Sequence, residues 1–393
     1  MSTLKVDAIR HNSATSDAIT TASDGTCSAK LTSVGGGQLS HRNLVINGAM
    51  TVAQRGQSST TAGYQTVDRW RNQFGGTEEN NTQAQSSLSS SDTPFSFGFR
   101  KSFKVTNGNQ TGGADANNLV YIRHHIEDQN MANSGWNYTS SSSFITLSFW
   151  VRASVAQDYH FHLRTMGNPV QLYPMEMTLA ANTWTKITKT IPGNSNIVFD
   201  NDNTDGMHVN FNLYCGTDYT SSSANNDQWQ AYSGSIFGGK DQTTTWYTTN
   251  DATFEITGVQ LEVGDTATSF EHRSYGEELT RCHRYYQKLS GDVLTYYGVG
   301  NVDGGTMAQI LVNFITEMRA APGGMDTSGT NGDYTIRMNS NATCTQQPAL
   351  SNRTTKNAMV IFYASGHGFT NGQACFGRAA NNTNGFLAFS AEL

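Results

Sequence analysis

The chain has 393 residues, of which 14% are charged, and its formal net charge is −6. Globular proteins usually carry about 25% charged residues, so this chain is poor in charge. Its 25 Lys and Arg residues are scattered and do not build the basic face of a nucleic-acid-binding protein, so we expect no nucleic-acid partner. The sequence contains no run of about 18 apolar residues, so we expect no membrane insertion. Its five Cys residues include no C-x-x-C motif, which predicts free thiols in a protein made in a reducing cytoplasm.

Residues 1–43 are polar and weakly patterned. The opening residues, MSTLKVDAIRHNS, lack the apolar core of a secretory signal peptide. The glycine run at 35–37 is typical of a flexible joint. A segment of this composition buries too little apolar surface to fold alone. We therefore interpret 1–43 as an arm that attaches the protein to another body.

Residues 44–273 predict a set of short antiparallel strands. Apolar and polar side chains alternate at 95–99, 145–151 and 209–215, and this period of two is typical of strands with one buried face. Loops rich in Ser, Asn and Gly separate these runs. Many short strands joined by polar loops indicate a jelly-roll β-sandwich.

The end of this block contains an irregular strand and a helix. The apolar phase set by Phe254 and Ile256 is reversed beyond Gly258, which predicts a β-bulge at this glycine. Ser274 and Glu277 then form the S-x-x-E pattern of a helix N-terminus. We predict a linker helix over 274–288.

Residues 289–393 predict a second, smaller β domain of ordinary size. Strands are expected over 307–314, 359–363 and 386–389, and the middle one is expected to be fully buried. The predicted fold class is therefore all-β: a jelly-roll β-sandwich (44–273), a short helix, and a C-terminal β domain.

Exposed aromatic side chains are the feature most indicative of ligand binding in the sandwich. The aromatic residues that stand beside polar loops, where a flat ring could stack on a sugar, are Trp136, Trp229, Tyr232, Trp246 and Tyr247. The alternative is that each indole packs, partly buried, against the core.

One acidic run resembles a cation-binding loop. Asp200, Asp202 and Asp205 are closely spaced and precede a glycine, as oxygen ligands do in calcium loops. The bidentate Glu that usually closes such a loop is missing, and an ordinary acidic turn is the alternative. Ca²⁺ is the cofactor that this run indicates. Two histidine pairs, at 124–125 and 160–162, could also ligate a metal if another strand supplied a third ligand, with surface or packed histidines as the alternative.

Three segments resemble a known family of proteins. NLVINGAMTVAQRG (43–56) is similar to the opening of a domain found in bacteriophage tail fibres and receptor-binding proteins, and FEITGVQLEVGDTATSFEHRSYGEELTRCHRYYQK (254–288) is similar to its end. STLKVDAI (2–9) resembles the start of structural proteins of marine and cyanobacterial phages. The two longer segments lie at the ends of a range of about 245 residues, 43–288. The motifs that they match are structural ones.

The resemblance implies a carbohydrate-binding-module-like sandwich within a homotrimeric fibre. Residues 1–43 would dock on phage tail or adaptor proteins, and the protein, made in the host cytoplasm, would reside on the virion. Its partner would be a host cell-surface glycan. No catalytic residue is carried over, so we expect a protein that is not an enzyme.

The C-terminal domain would then form the tip that faces the host. Aromatic and basic residues beside its glycine-rich turns are the receptor candidates, with packing of the trimer as the alternative. These candidates are Tyr363, His367, Phe369, Phe376 and Arg378. Two other functions stay open: a virion appendage or decoration protein without receptor binding, and a glycan depolymerase or esterase.

Overall fold

The computed structural model describes residues 6–10, 12–13, 15, 18–29, 41–290 and 292–393. Near the N-terminus three short antiparallel strands form a sheet: β1 (Ala8–Ile9), β2 (Ile19–Thr21) and β3 (Cys27–Ala29). Ile9 in this sheet is 55% exposed. Much of the predicted arm, including the glycine run at 35–37, lies outside the described residues, and its docking role stays a prediction.

Two six-stranded antiparallel sheets form a β-sandwich. In spatial order, sheet I contains β14 (Gln230–Ala231), β11 (Gln171–Leu179), β10 (Gln157–Thr165), β13 (Asp205–Cys215), β8 (Leu119–Glu127) and β5 (Trp70–Gly75). Sheet II contains β12 (Thr185–Pro192), β9 (Phe144–Ala153), β15 (Thr253–Val263), β7 (Lys101–Thr106), β6 (Thr82–Ser87) and β4 (Ser58–Ser59). The chain passes repeatedly from one sheet to the other, as in a jelly roll, so the predicted fold class is confirmed.

The sandwich core lies where the inward faces of the two sheets meet. Phe149 of sheet II lies edge-on to Phe161 and Phe211 of sheet I, with ring centroids 5.3 and 4.9 Å apart. The strands predicted at 145–151 and 209–215 are confirmed as parts of β9 and β13. The strand predicted at 95–99 is wrong, because Pro94 stands in the first turn of a 3-10 helix, Thr93–Phe97.

The β-bulge predicted at Gly258 is confirmed. The pairing of β15 with β9 shifts between Thr257 and Gln260, and Gly258 has a φ of +62°. The shift allows Ile256 and Val259 to point into the same core, where neither is exposed to solvent. One inserted residue thus restores a single buried face.

Substitution of this glycine should show how strongly the bulge is constrained. In Gly258→Ala, the new Cβ would stand 2.6 Å from Cζ of Phe99, on a backbone that L-residues avoid. We expect a loss of about 1–3 kcal/mol in the free energy of unfolding, measured by urea denaturation. Gly276→Ala, in a helix with open space around it, should gain up to about 1 kcal/mol. Equal effects of the two substitutions would contradict a constrained bulge.

The predicted linker helix is real but shorter than expected. It spans Tyr275–His283 (α3), and the Ser274 hydroxyl accepts a hydrogen bond from the Glu277 amide at 3.2 Å. The predicted end at 288 is wrong because Tyr286–Ser290 forms a strand, β16, that pairs with the last strand of the chain. The other α-helices in the described part of the chain are α1 (Asp128–Ala132) and α2 (Thr245–Thr248). No helix among the described residues has the length and apolarity required to cross a membrane.

Residues beyond the helix form two further antiparallel sheets. A three-stranded sheet contains β16, β25 (Phe386–Ser390) and β19 (Gly324–Thr327). A seven-stranded sheet contains, in spatial order, β21 (Asn341–Thr343), β20 (Tyr334–Arg337), β24 (Ala374–Ala379), β17 (Tyr296–Asp303), β18 (Met307–Asn313), β23 (Asn357–Tyr363) and β22 (Ala349–Arg353). Only alternate residues of β23 are buried, so the expectation of a fully buried strand at 359–363 is wrong.

The cysteines agree with the sequence-based expectation where their side chains are described. Each of these residues is buried and none forms a disulfide: Cys215, Cys282, Cys344 and Cys375. Burial raises the pKa of the Cys375 thiol to about 11. A buried thiol held in its neutral form is a small apolar packing group and is chemically inert.

Candidate functional site

An open cavity of about 480 Å³ lies on the outer face of sheet I. Three neighbouring strands provide its floor through Arg71 on β5, Tyr121 and Arg123 on β8, and Arg164 on β10. Alternation along each strand directs these side chains away from the core. Pairing of Arg71 with Arg123 across β5 and β8 then brings the two arginines side by side.

The loop between β13 and the short helix α2 provides the wall of the cavity. Tyr219, Tyr232 and Phe237 line the cavity from this loop. The Phe237 ring lies edge-on to Tyr121, with centroids 5.1 Å apart. Backbone hydrogen bonds hold the loop in place, since the Gly238 amide donates to the Tyr219 carbonyl at 2.8 Å. The cavity is thus bordered by aromatic rings and guanidinium groups.

Each arginine of the floor has a neutral hydrogen-bond partner. Arg123 Nε donates to Asn210 Oδ1 at 2.8 Å, and Arg164 Nη2 donates to His208 Nδ1 at 3.0 Å. The guanidinium carbons also lie near ring faces, 4.5 Å from the Tyr121 centroid for Arg123 and 4.6 Å from the Tyr232 centroid for Arg164. These contacts hold the arginines in place and leave donors free to meet a ligand.

The predicted calcium loop is not formed. Asp205 hydrogen-bonds to His125 Nδ1 and His208 Nε2, while Asp202 accepts from the amide and hydroxyl of Thr204 within its own turn. Within the described residues, the one group of potential metal ligands that converges is His125, Asp205 and His208. The carboxylates of Asp200, Asp202 and Asp205 therefore do not converge, because Asp205 begins β13 and is directed onto the sheet toward the two histidines.

Two of the three predicted tryptophans are core residues. Trp136 is 3% exposed and Trp246 is fully buried, and their indole N–H groups donate to the carbonyls of Ser143 and Thr253. Their role as ligand-stacking residues is therefore wrong. Trp229 is half-buried, and its ring lies edge-on to Tyr173 at 5.1 Å. A position beside a polar loop does not reveal whether an indole turns inward.

The core position of Trp246 has a measurable consequence. Trp246→Ala is expected to lower the free energy of unfolding by about 3–5 kcal/mol, because it leaves a large cavity between the sheets. Urea denaturation followed by the remaining tryptophan fluorescence would measure the change. Tyr275→Ala, at a ring that is 60% exposed, should change stability by less than about 0.5 kcal/mol. Near-normal stability of Trp246→Ala would contradict its burial.

Four of the five C-terminal candidates fall into two separate groups. Phe376, 44% exposed, lies edge-on to Tyr296 at 5.4 Å, and the buried Arg378 donates to Asn341 and to the Tyr296 hydroxyl. His367 stacks on Phe369 in the loop between β23 and β24, with centroids 5.8 Å apart. The remaining candidate, Tyr363, is half-buried at the end of β23. Its strand partner is Met307.

Comparison with known proteins gives structural likenesses only. No protein-family model and no curated protein matches the chain. A putative sugar binding protein from Bacteroides thetaiotaomicron is 10% identical with a TM-score of 0.31, over 56% of this chain and 99% of that one. The family 11 carbohydrate-binding module from Clostridium thermocellum is 11% identical with a TM-score of 0.25, over 55% and 98%.

A phage protein is among the similar structures. The enzymatically active domain of bacteriophage CBA120 tailspike protein 4 is 12% identical with a TM-score of 0.29, over 56% of this chain. This chain covers 21% of that structure.

Proposed function

We propose that this chain is a bacteriophage tail fibre protein that binds a host-surface glycan through the cavity on sheet I. The cavity is the observation that carries the proposal. Its volume of about 480 Å³ falls within the roughly 300–1,000 Å³ typical of ligand sites. Rings such as Tyr232 offer flat faces for a sugar, and the arginines offer hydrogen-bond donors for its oxygens.

Attachment to the virion is proposed from the sequence, and the trimer is proposed from the sequence together with one exposed apolar row. Residues 1–43 would dock the protein on phage tail or adaptor proteins, and three copies would form the fibre. Val299, Leu311 and Phe376 form one row across adjacent strands of the seven-stranded sheet and are each more than a third exposed. Exposed apolar rows of this kind favour packing between copies. Sedimentation of the purified chain would test the trimer.

We propose that the protein binds its glycan without cleaving it. Among the described residues that line the cavity, none is Asp or Glu, whereas glycoside hydrolysis by the usual mechanisms requires a pair of carboxyl groups. The depolymerase alternative therefore has no support from this cavity. Incubation of the protein with a bound polysaccharide, followed by sizing of the products, would test this point.

The test is binding of the purified full-length chain to host cells and to polysaccharide extracted from their surface. Tyr232→Ala should weaken binding about tenfold, or about 1.4 kcal/mol, since it removes a ring next to Arg164. Tyr275→Ala, at an exposed ring of α3 that does not line the cavity, is the matched control and should bind normally. A structural appendage without receptor function would bind neither cells nor polysaccharide in any variant.

A further inference from the structure

The cavity on sheet I concentrates positive charge without a negative partner. Arg71, Arg123 and Arg164 all line it, and within the described part of the chain none of them forms an ion pair with a carboxylate. Arg123 is 6% exposed and Arg164 is 9% exposed. Buried cations are normally paired, because removing a charge from water is costly.

The arrangement of the strands increases this cost. Arg71 and Arg123 are direct partners on antiparallel strands, a position where like charges destabilise a sheet. Burial lowers the pKa of Arg123 to about 10, and the positive charges of Arg164 and Arg71 act in the same direction. The three guanidinium groups therefore repel one another.

Neighbouring groups do not neutralise the cluster. The Asp205 carboxylate lies on the same face of the sheet, and its negative charge acts on Arg123. This carboxylate is already hydrogen-bonded to both His125 and His208. The Nε atoms of Arg71 and Arg164 are buried without a hydrogen-bond partner. These unsatisfied donors add to the energetic cost of the cluster, and its surplus positive charge remains for a ligand.

We propose that the cavity binds an acidic saccharide unit, one that bears a carboxylate, sulfate or phosphate group. The guanidinium fork matches the paired oxygens of these anions and donates two hydrogen bonds at once. The rings of Tyr219, Tyr232 and Phe237 border the same space and would contact the sugar. This inference rests on the proposed function, since it names the class of glycan that the same site takes.

The experiment uses the purified full-length chain and three probes. The first is inorganic sulfate, titrated at constant ionic strength against chloride and followed by the melting temperature. The second is polygalacturonate, compared with the same polymer after reduction of its carboxyl groups. The third is a sulfated galactan, compared with its desulfated form. The two polymer pairs distinguish a carboxylate from a sulfate ligand.

We expect saturable stabilisation by sulfate and at least tenfold tighter binding of one acidic polymer than of its neutral form. Arg123→Gln and Arg164→Gln should each abolish the preference for the acidic form. Arg353→Gln, at an exposed arginine of the C-terminal domain, is the control and should retain the preference. Melting temperatures and circular dichroism of the variants would establish that they are folded, and a folded Arg123→Gln or Arg164→Gln that keeps the preference would overturn the inference.

The outcomes separate this inference from the proposed function. Equal binding of acidic and neutral polymers, lost in Tyr232→Ala, would overturn the acidic class and support a glycan site. Binding of sulfate without binding of any saccharide, including polysaccharide from host cells, would support an anion site and overturn the proposed function. Binding of none of the three probes would overturn the acidic class, and a further failure to bind host cells and their polysaccharide would overturn the proposed function as well.

Discussion

Replacement of Glu392 by Gln is expected to lower the free energy of unfolding by about 3–5 kcal/mol. The Glu392 carboxylate forms an ion pair with Arg69, whose side chain is completely buried, and another with Arg55 at 3.2 Å. Burial alone would lower the pKa of Arg69, but the charge of Glu392, acting together with Tyr285, Tyr64 and Cys282, outweighs burial and the pKa is raised. Neutralising Glu392 would leave the Arg69 cation in the interior without an anionic partner.

Urea denaturation of the full-length chain would measure this loss. Glu277→Gln is the matched control, because Glu277 pairs with Arg281 at 3.2 Å on the exposed face of α3. An exposed pair of this type contributes about 0.5 kcal/mol or less. A similarly small effect of Glu392→Gln would show that the buried pair is not formed.

The same contacts explain why the segment after the sandwich is more than a linker. The Arg69 guanidinium lies 3.4 Å from the ring centroid of Tyr285 and donates to the His125 carbonyl at 2.7 Å. Cys282 and Tyr285 pack with Ile46 and other apolar residues beneath α3. The helix, the last residues of the chain and the sandwich therefore share one buried cluster, which a helix pattern in the sequence does not reveal.

Local patterns in the sequence were sufficient to predict much of the sandwich. The strands around Phe149 and Phe211 follow from a period of two, and the bulge follows from the phase change at Gly258. Ser274 marks the start of α3 because capping is a local interaction. The end of that helix at His283 was missed because pairing of β16 with β25, about 100 residues later in the chain, decides it.

The arginines of the candidate site were not predicted because strand register brings them together. Arg71, Arg123 and Arg164 come from three separate strands, and no run of basic residues marks them in the sequence. One signal was present: Arg123 interrupts the run LVYIRHHIE, and Arg164 ends HFHLR. A charged residue within an otherwise buried strand must point to a face that accepts it, which is often a functional one. Of the five aromatic residues beside loops, Tyr232 lines the cavity and Tyr247 is buried, so charge placed within strands was the better guide to the arginines.

Histidines buried on both faces of sheet I predict that the protein is sensitive to acid. Five of them are less than 5% exposed: His124, His125, His160, His162 and His208. Burial lowers the pKa of each, and that of His125 is lowered to about 4. In the unfolded chain the same groups have a pKa of about 6.5. Between about pH 6.5 and 4 the unfolded chain therefore binds protons that the folded protein does not.

Stability is then expected to fall as the pH decreases from 7.5 to 5. A histidine whose pKa drops from 6.5 to about 4 on folding costs about 2 kcal/mol of stability at pH 5. Asp68 acts in the opposite direction, because burial raises its pKa to about 6. Its protonation stabilises the folded protein by only about 1 kcal/mol at pH 5. The lowered pKa of Asp205 matters only below about pH 4, where an unfolded carboxylate becomes protonated.

Urea denaturation at pH 7.5, 6 and 5 would measure the combined effect, which we expect to reach several kcal/mol. His125→Gln should make stability less dependent on pH, by about the contribution of one histidine. His367→Gln, in an exposed loop, should leave the dependence unchanged. Stability that stays constant or rises toward pH 5 would mean that these histidines are protonated in the folded protein. Sheet I would then carry even more positive charge around its arginines, and its need for an anionic ligand would increase.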